Sequence, residues 1–189
     1  MANIRSGNQS ALVVVDVQVG VMAKAWDAPR AIGQVARAVE RARAAGVPVL
    51  WVQHNDQQLV KDSPEWQWVP ELSPQAGEPR VHKQFESSFE NTTLESELAQ
   101  RGVSHIVLAG AATNWCIRAT AYGALDRGYD LTLVKDAHTT GDMELDNGFK
   151  IVAEQLVQDL NVVMRWISYP GRKSGTATAE DVSFHTVPA

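Results

Sequence analysis

An aspartate and a cysteine lie where an α/β protein places reactive groups. Asp16 directly follows an apolar, largely β-branched run (residues 11–15), and Cys116 lies shortly after another apolar run (residues 103–109), where a helix is predicted to begin. A carboxylate can exchange a proton, and a thiol at a helix N-terminus is favoured as a nucleophilic thiolate. Amides of the same turn can hold an oxyanion. Non-catalytic roles stay open for both residues, because Asp16 could cap a turn and Cys116 could simply pack in the interior.

Other polar and aromatic residues follow the same predicted strands. Gln18 and Trp26 come after the first strand and His54 ends the second. Ligands of open α/β sheets bind outside the carboxyl ends of the strands, so we expect these three residues to contact substrate. His54 could equally be a partly buried packing histidine. Trp115, beside Cys116, belongs either to the cleft or to the core. By residue type alone, Lys83 is an ordinary surface lysine.

Short apolar runs alternate with longer helical stretches along most of the chain. The predicted strands are residues 11–15, 47–52, 81–85, 103–109, 129–134 and 161–164. The predicted helices are residues 28–45, 92–102, 115–127 and 146–160. This alternation predicts a three-layer α/β/α sandwich with a mainly parallel, Rossmann-like sheet.

Two segments stand apart from the alternation. Residues 54–80 hold four prolines and form a long excursion, in which we predict that Trp66 and Trp68 are an exposed pair at a subunit interface. Residues 170–189 are rich in Gly, Ser, Thr and Ala and form either a flexible tail or an arm that clasps a neighbouring subunit. We find no repeat and no linker, so a single domain over residues 1–189 is expected.

Composition narrows the class of partner. The formal net charge of −5 argues against nucleic acid or an anionic membrane, and a small-molecule substrate is expected instead. No apolar run approaches the ~20 residues that span a bilayer, and the polar N-terminus has no signal-peptide pattern. The single cysteine excludes an intramolecular disulfide, so a cytoplasmic setting is the default expectation.

Three blocks of sequence resemble the isochorismatase-like superfamily of cysteine hydrolases, over about residues 11–170. They are LVVVDVQVG (residues 12–20), VHKQFESSFENTTLESEL (residues 81–98) and VLAGAATNWCIRATAYGALDRGYDLTLVKDAHTT (residues 107–140). The third is the most specific, because it joins a G-x-x-T-x-x-C turn to the helix and strand that follow it.

The resemblance assigns roles that the residues alone leave open. It implies a catalytic triad of Asp16, Lys83 and Cys116, without a cofactor. It also implies a cis peptide between Ala111 and Ala112, an oxyanion hole made by the backbone N–H groups of Ala112 and Cys116, and self-association into a homo-oligomer.

Departures from relatives narrow the expected reaction. Nicotinamidases carry an Asp-x-His pair after the second strand that helps to bind zinc, whereas this chain has QHND at residues 53–56, so no metal is predicted. Isochorismatases proper cleave a vinyl ether and lack the cysteine that is present here as Cys116. We therefore predict a cysteine-dependent hydrolase that cleaves a small amide or related C–N bond through a thioester, similar to streptothricin hydrolases. The alternatives are a vinyl-ether hydrolase without covalent catalysis and a ligand-binding oligomer without turnover.

Overall fold

The apolar runs form the central strands of the protein. The computed structural model describes residues 4–184. Its strands are β1 (Gln9–Val15), β2 (Val49–His54), β3 (Arg80–Lys83), β4 (Val103–Ala111), β5 (Asp130–Thr139), β6 (Met143–Glu144), β7 (Lys150–Ile151) and β8 (Ser174–Ala177). Its helices are α1 (Val19–Met22), α2 (Ala28–Ala44), α3 (Leu94–Gln100), α4 (Arg118–Asp126) and α5 (Ala153–Trp166), and a π-helical turn (Thr113–Ile117) precedes α4. None of the helices within residues 4–184 is long and apolar enough to cross a membrane.

Six strands make one parallel sheet in the order β3-β2-β1-β4-β5-β8. From β1 the chain moves outward through β2 to β3, and then returns to the other side of β1 as β4. The strand order therefore reverses between β1 and β4, which is where ligands bind in sheets of this kind.

Apolar side chains on the two faces of the sheet build two cores. In β1, Val13 and Val15 pack into the core beneath α3, α4 and α5, whereas Leu12 and Val14 pack into the core beneath α2. All four side chains are fully buried. The predicted three-layer α/β/α class with a mainly parallel sheet is confirmed.

The predicted strand at residues 161–164 is wrong. Val157, Leu160 and Met164 are buried at helical spacing, so this β-branched stretch continues α5 to Trp166. The same helix begins at Ala153 rather than at residue 146, because β6 and β7 form a small antiparallel hairpin just before it.

The C-terminal segment belongs to the fold as far as it is described. β8 pairs in parallel with β5, and Ala179, Val182 and Phe184 fill the core on the α2 side. The expected tail or subunit-clasping arm is therefore wrong for residues 174–184, and residues 185–189 lie outside the described part.

The tryptophans of the long excursion are not an exposed pair. Trp66 is 8% exposed and stacks on His82 with ring centroids 5.7 Å apart, and Trp68 meets Trp51 edge-on at 5.3 Å. A backbone bridge between Gln18 and Trp68 holds the segment against the end of β1. The expected exposure is therefore wrong, since Trp66 is buried and Trp68 is partly buried, and a subunit interface at this pair stays a prediction.

Candidate active site

Asp16 and Gly110 mark the close approach of β1 and β4 at the switch point. Asp16 adopts a left-handed backbone conformation (φ 51°), which aspartate tolerates better than most residues, and its N–H donates to the carbonyl of Val52 at 2.9 Å. Gly110 has φ 124°, and a Cβ placed there would lie 2.0 Å from the carbonyl oxygen of Val15. Only glycine fits this position, which explains the first residue of the G-x-x-T-x-x-C turn.

Cys116 is held in the π-helical turn that follows β4. The peptide between Ala111 and Ala112 is cis, as the resemblance implied. The N–H groups of Trp115 and Ile117 both donate to the carbonyl of Ala112, each at 3.1 Å. The turn therefore directs the half-buried thiol back toward the carboxyl ends of the strands.

Lys83, the last residue of β3, joins Asp16 to Cys116. Its Nζ lies 2.7 Å from Oδ2 of Asp16 and donates to Sγ of Cys116 at 3.2 Å. The side chains of Lys83 and Asp16 are 0% and 1% exposed. Three residues separated by up to 100 positions in the sequence thus form one buried group. Their catalytic roles stay a prediction.

Burial is the largest single influence on the pKa values of Asp16 and Lys83. Desolvation raises the pKa of Asp16 above its usual value, although the Lys83 ammonium and the Cys116 thiol act in the opposite direction. Burial is the largest single influence and would lower the pKa of Lys83, but Asp16 and Cys116 together outweigh it, and the pKa of the lysine is raised. Oδ2 of Asp16 faces the Lys83 ammonium at 2.7 Å, whereas Oδ1 has no hydrogen-bond partner within residues 4–184.

The thiol of Cys116 is not a resting thiolate. Burial, and after it the charge of Asp16, raise its pKa to about 12, while Lys83 lowers it. Cys116 does lie in the first turn of a helix, as the sequence predicted, but burial outweighs the help that this position gives to a thiolate. The cysteine lies inside the π-helical turn, and α4 begins two residues later.

The proposed oxyanion hole has one clearly available donor. We find no hydrogen-bond acceptor for the N–H of Ala112 in the part of the chain that the structure describes. The second proposed donor, the N–H of Cys116, lies within the π-helical turn that follows Ala112. Their role toward a substrate oxygen stays a prediction.

His54 contacts Lys83 directly. Nδ1 of His54 lies 3.3 Å from Nζ of Lys83, and Nε2 lies 3.1 Å from Oδ2 of Asp56. The structure thus places His54 next to the group formed by Asp16, Lys83 and Cys116, and its contact there is with Lys83. The spacing His-x-Asp was the available signal for this pair, and sequence reasoning missed it.

Gln18 is a buried brace that does not line an open cleft. Its Nε2 donates to the carbonyls of His54 (3.0 Å) and Trp66 (2.8 Å), and its Oε1 accepts the N–H of His54 at 2.9 Å. The side chain is 0% exposed. The predicted substrate contact is corrected to a structural one, because the amide group is already occupied by backbone.

Trp115 and Trp26 lie on the outer side of the site. Trp115 is 53% exposed, which excludes the core alternative for its ring. The N–H of Trp26 donates to the carbonyl of Thr140, whose hydroxyl donates to Asn114 at 2.6 Å. Trp26 is thus linked through Thr140 to the turn that carries the cysteine. Substrate contact stays a prediction for both tryptophans.

A buried histidine supports the cysteine turn from behind. Nδ1 of His138 is 2.9 Å from the hydroxyl of Thr113, and its Nε2 is 3.0 Å from Oδ1 of Asn161 in α5. Burial lowers the pKa of His138 to about 4. This residue lies in the DAHTT stretch of the third block, but sequence reasoning gave it no role. Within residues 4–184, no three His, Cys, Asp or Glu side chains converge as a metal site would require.

A parallel α/β sheet with a carboxylate, an ammonium group and a thiol at its switch point has the fold and the reactive groups of a hydrolase. Comparisons with known proteins agree with this class. The isochorismatase domain family matches residues 10–166, so this chain belongs to the isochorismatase family of hydrolases. A structure of an isochorismatase from Pseudomonas putida KT2440 has a TM-score of 0.83 at 26% identity, covering 93% of this chain and 90% of that one.

Two relatives carry named activities. The ureidoacrylate amidohydrolase RutB of Methylobacterium radiotolerans is 32% identical over 177 aligned positions, covering 71% of this chain and 69% of the relative. A streptothricin hydrolase of Streptomyces noursei is 34% identical over 140 positions, covering 70% of this chain and 55% of the relative. The matched region thus spans little more than half the length of the streptothricin hydrolase.

Proposed function

We propose that this protein is a cysteine-dependent hydrolase that cleaves a small amide or related C–N bond through a thioester. The observation that carries the proposal is the buried contact of Lys83 with both Asp16 (2.7 Å) and Cys116 (3.2 Å) at the switch point of the sheet. The named activities of two relatives, a ureidoacrylate amidohydrolase and a streptothricin hydrolase, support cleavage of a C–N bond.

The charges of the three side chains explain how a neutral thiol becomes a nucleophile. Asp16 as carboxylate, Lys83 as ammonium and Cys116 as thiol sum to zero charge. Moving the thiol proton to Asp16 leaves that sum unchanged, so burial opposes this transfer far less than ionisation into solvent. The raised pKa of Asp16 favours the same transfer.

The reaction then proceeds in two stages. The thiolate attacks the amide carbonyl, and the resulting oxyanion accepts hydrogen bonds from the N–H groups of Ala112 and Cys116. Asp16 returns its proton to the leaving nitrogen as the C–N bond breaks, which releases the amine and leaves the thioester. Asp16, again a carboxylate, takes a proton from water, and the hydroxide formed attacks the thioester. As the C–S bond breaks, Asp16 returns that proton to the sulfur, which releases the acid and restores both the thiol and the carboxylate. Lys83 stays an ammonium group throughout.

The test compares wild type with Cys116→Ser on ureidoacrylate, streptothricin and simple primary amides. We expect the variant to keep its circular dichroism spectrum and lose at least about a thousandfold in turnover, as removal of a nucleophile does elsewhere. Acid-quenched wild type should carry an acyl adduct in its intact mass, and the variant should not. Turnover of Cys116→Ser within about tenfold of wild type would refute covalent catalysis.

A second candidate is vinyl-ether hydrolysis with Asp16 as the general acid. The raised pKa of Asp16 favours this candidate, because a carboxyl group that holds its proton more readily than usual can give that proton to the substrate. It requires no nucleophile at position 116. A Cys116→Ser variant that hydrolyses a vinyl ether as fast as wild type would therefore favour it over the amide reaction.

A further inference from the structure

The ammonium group of Lys83 has more acceptors around it than protons to donate. A lysine ammonium carries three N–H donors. Four acceptor atoms lie within 3.3 Å of Nζ: Oδ2 of Asp16 (2.7 Å), the carbonyl of Phe85 (3.1 Å), Sγ of Cys116 (3.2 Å) and Nδ1 of His54 (3.3 Å). Two of the four belong to the proposed chemistry, and the other two belong to His54 and to the backbone of Phe85.

The partners of His54 fix its tautomer. A lysine ammonium only donates, so a proton on Nδ1 of His54 would face its N–H groups unfavourably. Nδ1 is therefore the unprotonated nitrogen, and the ring proton is on Nε2. That proton points to Oδ2 of Asp56 at 3.1 Å. The other oxygen of Asp56 accepts the N–H groups of Gln58 and Leu59, both at 2.7 Å. The backbone hydrogen bond from Leu59 is the main cause that lowers the pKa of Asp56, so its carboxylate is an ionised anchor.

Both ring nitrogens of His54 are therefore occupied within the protein. The side chain is 19% exposed, which leaves one edge of the ring near solvent but no nitrogen free for a substrate. A direct polar contact between His54 and substrate would require breaking one of these two hydrogen bonds. The role of His54 is thus to act through Lys83.

We propose that His54 and Asp56 form a positioning pair that holds the Lys83 ammonium between Asp16 and Cys116. This inference rests on the proposed function, in which negative charge moves from Asp16 to the sulfur as the proton is transferred. A lysine side chain has four rotatable bonds and could follow one partner alone. The acceptor nitrogen of His54, anchored by Asp56, keeps Nζ within reach of both, so that the thiolate is stabilised as it forms.

The test measures the alkylation rate of Cys116 by iodoacetamide at one neutral pH, followed by intact mass. Cys116 is the only cysteine, so a single adduct gives the rate directly. Iodoacetamide needs neither turnover nor substrate contacts, so a purely substrate-binding role of His54 would not change this rate. Loss of a hydrogen bond to a charged group predicts that His54→Leu slows alkylation at least about tenfold.

A conservative variant separates positioning from packing. His54→Asn keeps an acceptor oxygen at the place of Nδ1, and we expect it to restore the rate to within about threefold of wild type. Gln57→Ala, at an exposed neighbouring position, is the matched control and should alkylate as wild type does. An unfolded variant would expose its thiol and react faster, so slowing cannot be mistaken for loss of fold.

Two results would overturn the positioning role. One is a His54→Leu rate within about twofold of wild type, and the other is a His54→Asn rate as slow as that of His54→Leu. Failure of the proposed function is distinguishable, because it is measured by hydrolysis in Cys116→Ser. The alkylation series reports the placement of Lys83 whether or not a substrate has been found.

Discussion

Replacing Lys83 by methionine should destabilise the protein in a way that a second substitution repairs. The variant removes the ammonium group but keeps an unbranched chain of similar length. Asp16 would then be a carboxyl group that is 1% exposed and has lost the one ion-pair partner that it has within residues 4–184. The double variant Asp16→Asn/Lys83→Met removes both charges, and asparagine also tolerates the left-handed backbone of position 16.

The size of the effect follows from the burial of the pair. Removing one member of a buried ion pair costs about 3–5 kcal/mol, because the remaining charge is uncompensated. For a protein of this size, each kcal/mol shifts Tm by about 2–4 °C, so Tm should fall by about 6–20 °C. The double variant, which buries no charge, should recover to within about 1 kcal/mol of wild type.

The loss should also depend on pH in a defined direction. Lys83 lowers the pKa of Asp16, so removing the lysine raises that pKa further above its value in the unfolded chain. A raised folded-state pKa stabilises at low pH and ceases to do so as the pH rises through it. The deficit of Lys83→Met relative to wild type should therefore be small near pH 5 and largest near pH 8.

Urea unfolding at pH 5 and pH 8 measures the loss of stability, its recovery in the double variant and its dependence on pH. Lys61→Met is the control. Lys61 is exposed, and its replacement should change stability by less than about 0.5 kcal/mol. The reasoning is refuted if Lys83→Met is as stable as wild type at pH 8. It is also refuted if the double variant is no more stable than the single one.

Two further predictions concern the supports of the site. The pKa of His138 is lowered from 6.5 to about 4, so the unfolded chain binds a proton at this residue before the folded protein does as the pH falls. Wild type should therefore lose about 3 kcal/mol of stability from this group between pH 7 and pH 4. His138→Gln should lack that part of the acid-side loss in urea unfolding, and an identical loss would contradict the assignment. Gly110→Ala should cost about 4 kcal/mol or more, because its Cβ meets the backbone of Val15. The control is Gly33→Ala on the exposed surface of α2, where an added Cβ would have nothing within 4 Å. It should gain about 0.5–1 kcal/mol of stability. Equal effects of the two substitutions on Tm would show that the contact of position 110 with Val15 is not decisive.

Much of the scaffold was predictable because the apolar runs of a buried parallel sheet are continuous. β1, β2, β4 and β5 all fall on such runs, and α2 has a clear apolar face. The error at residues 161–164 arose because a β-branched stretch can complete a helix whose earlier turns already define its buried face. β8 was missed because SGTA has neither apolar alternation nor β-branched density, and its pairing with β5 is decided only by the open edge of the sheet.

Within the site, local sequence indicated Asp16 and Cys116 but not the residue between them. Lys83 lies at the end of a four-residue strand, and only the resemblance singled it out. The protonation state of Cys116 could not be predicted, since it depends on burial and on a carboxylate 100 positions away in sequence. Self-association and a cytoplasmic setting stay predictions.

The edge strand β8 also has a consequence for how the chain must be synthesised and handled. The family match ends at residue 166, eight positions before β8 begins. A recombinant fragment cut at that boundary would leave one edge of β5 unpaired and uncover the apolar surface beneath residues 179–184, and both changes favour aggregation. On the ribosome the same surface stays open until residues 174–184 have emerged, so the sheet is completed only after they are translated.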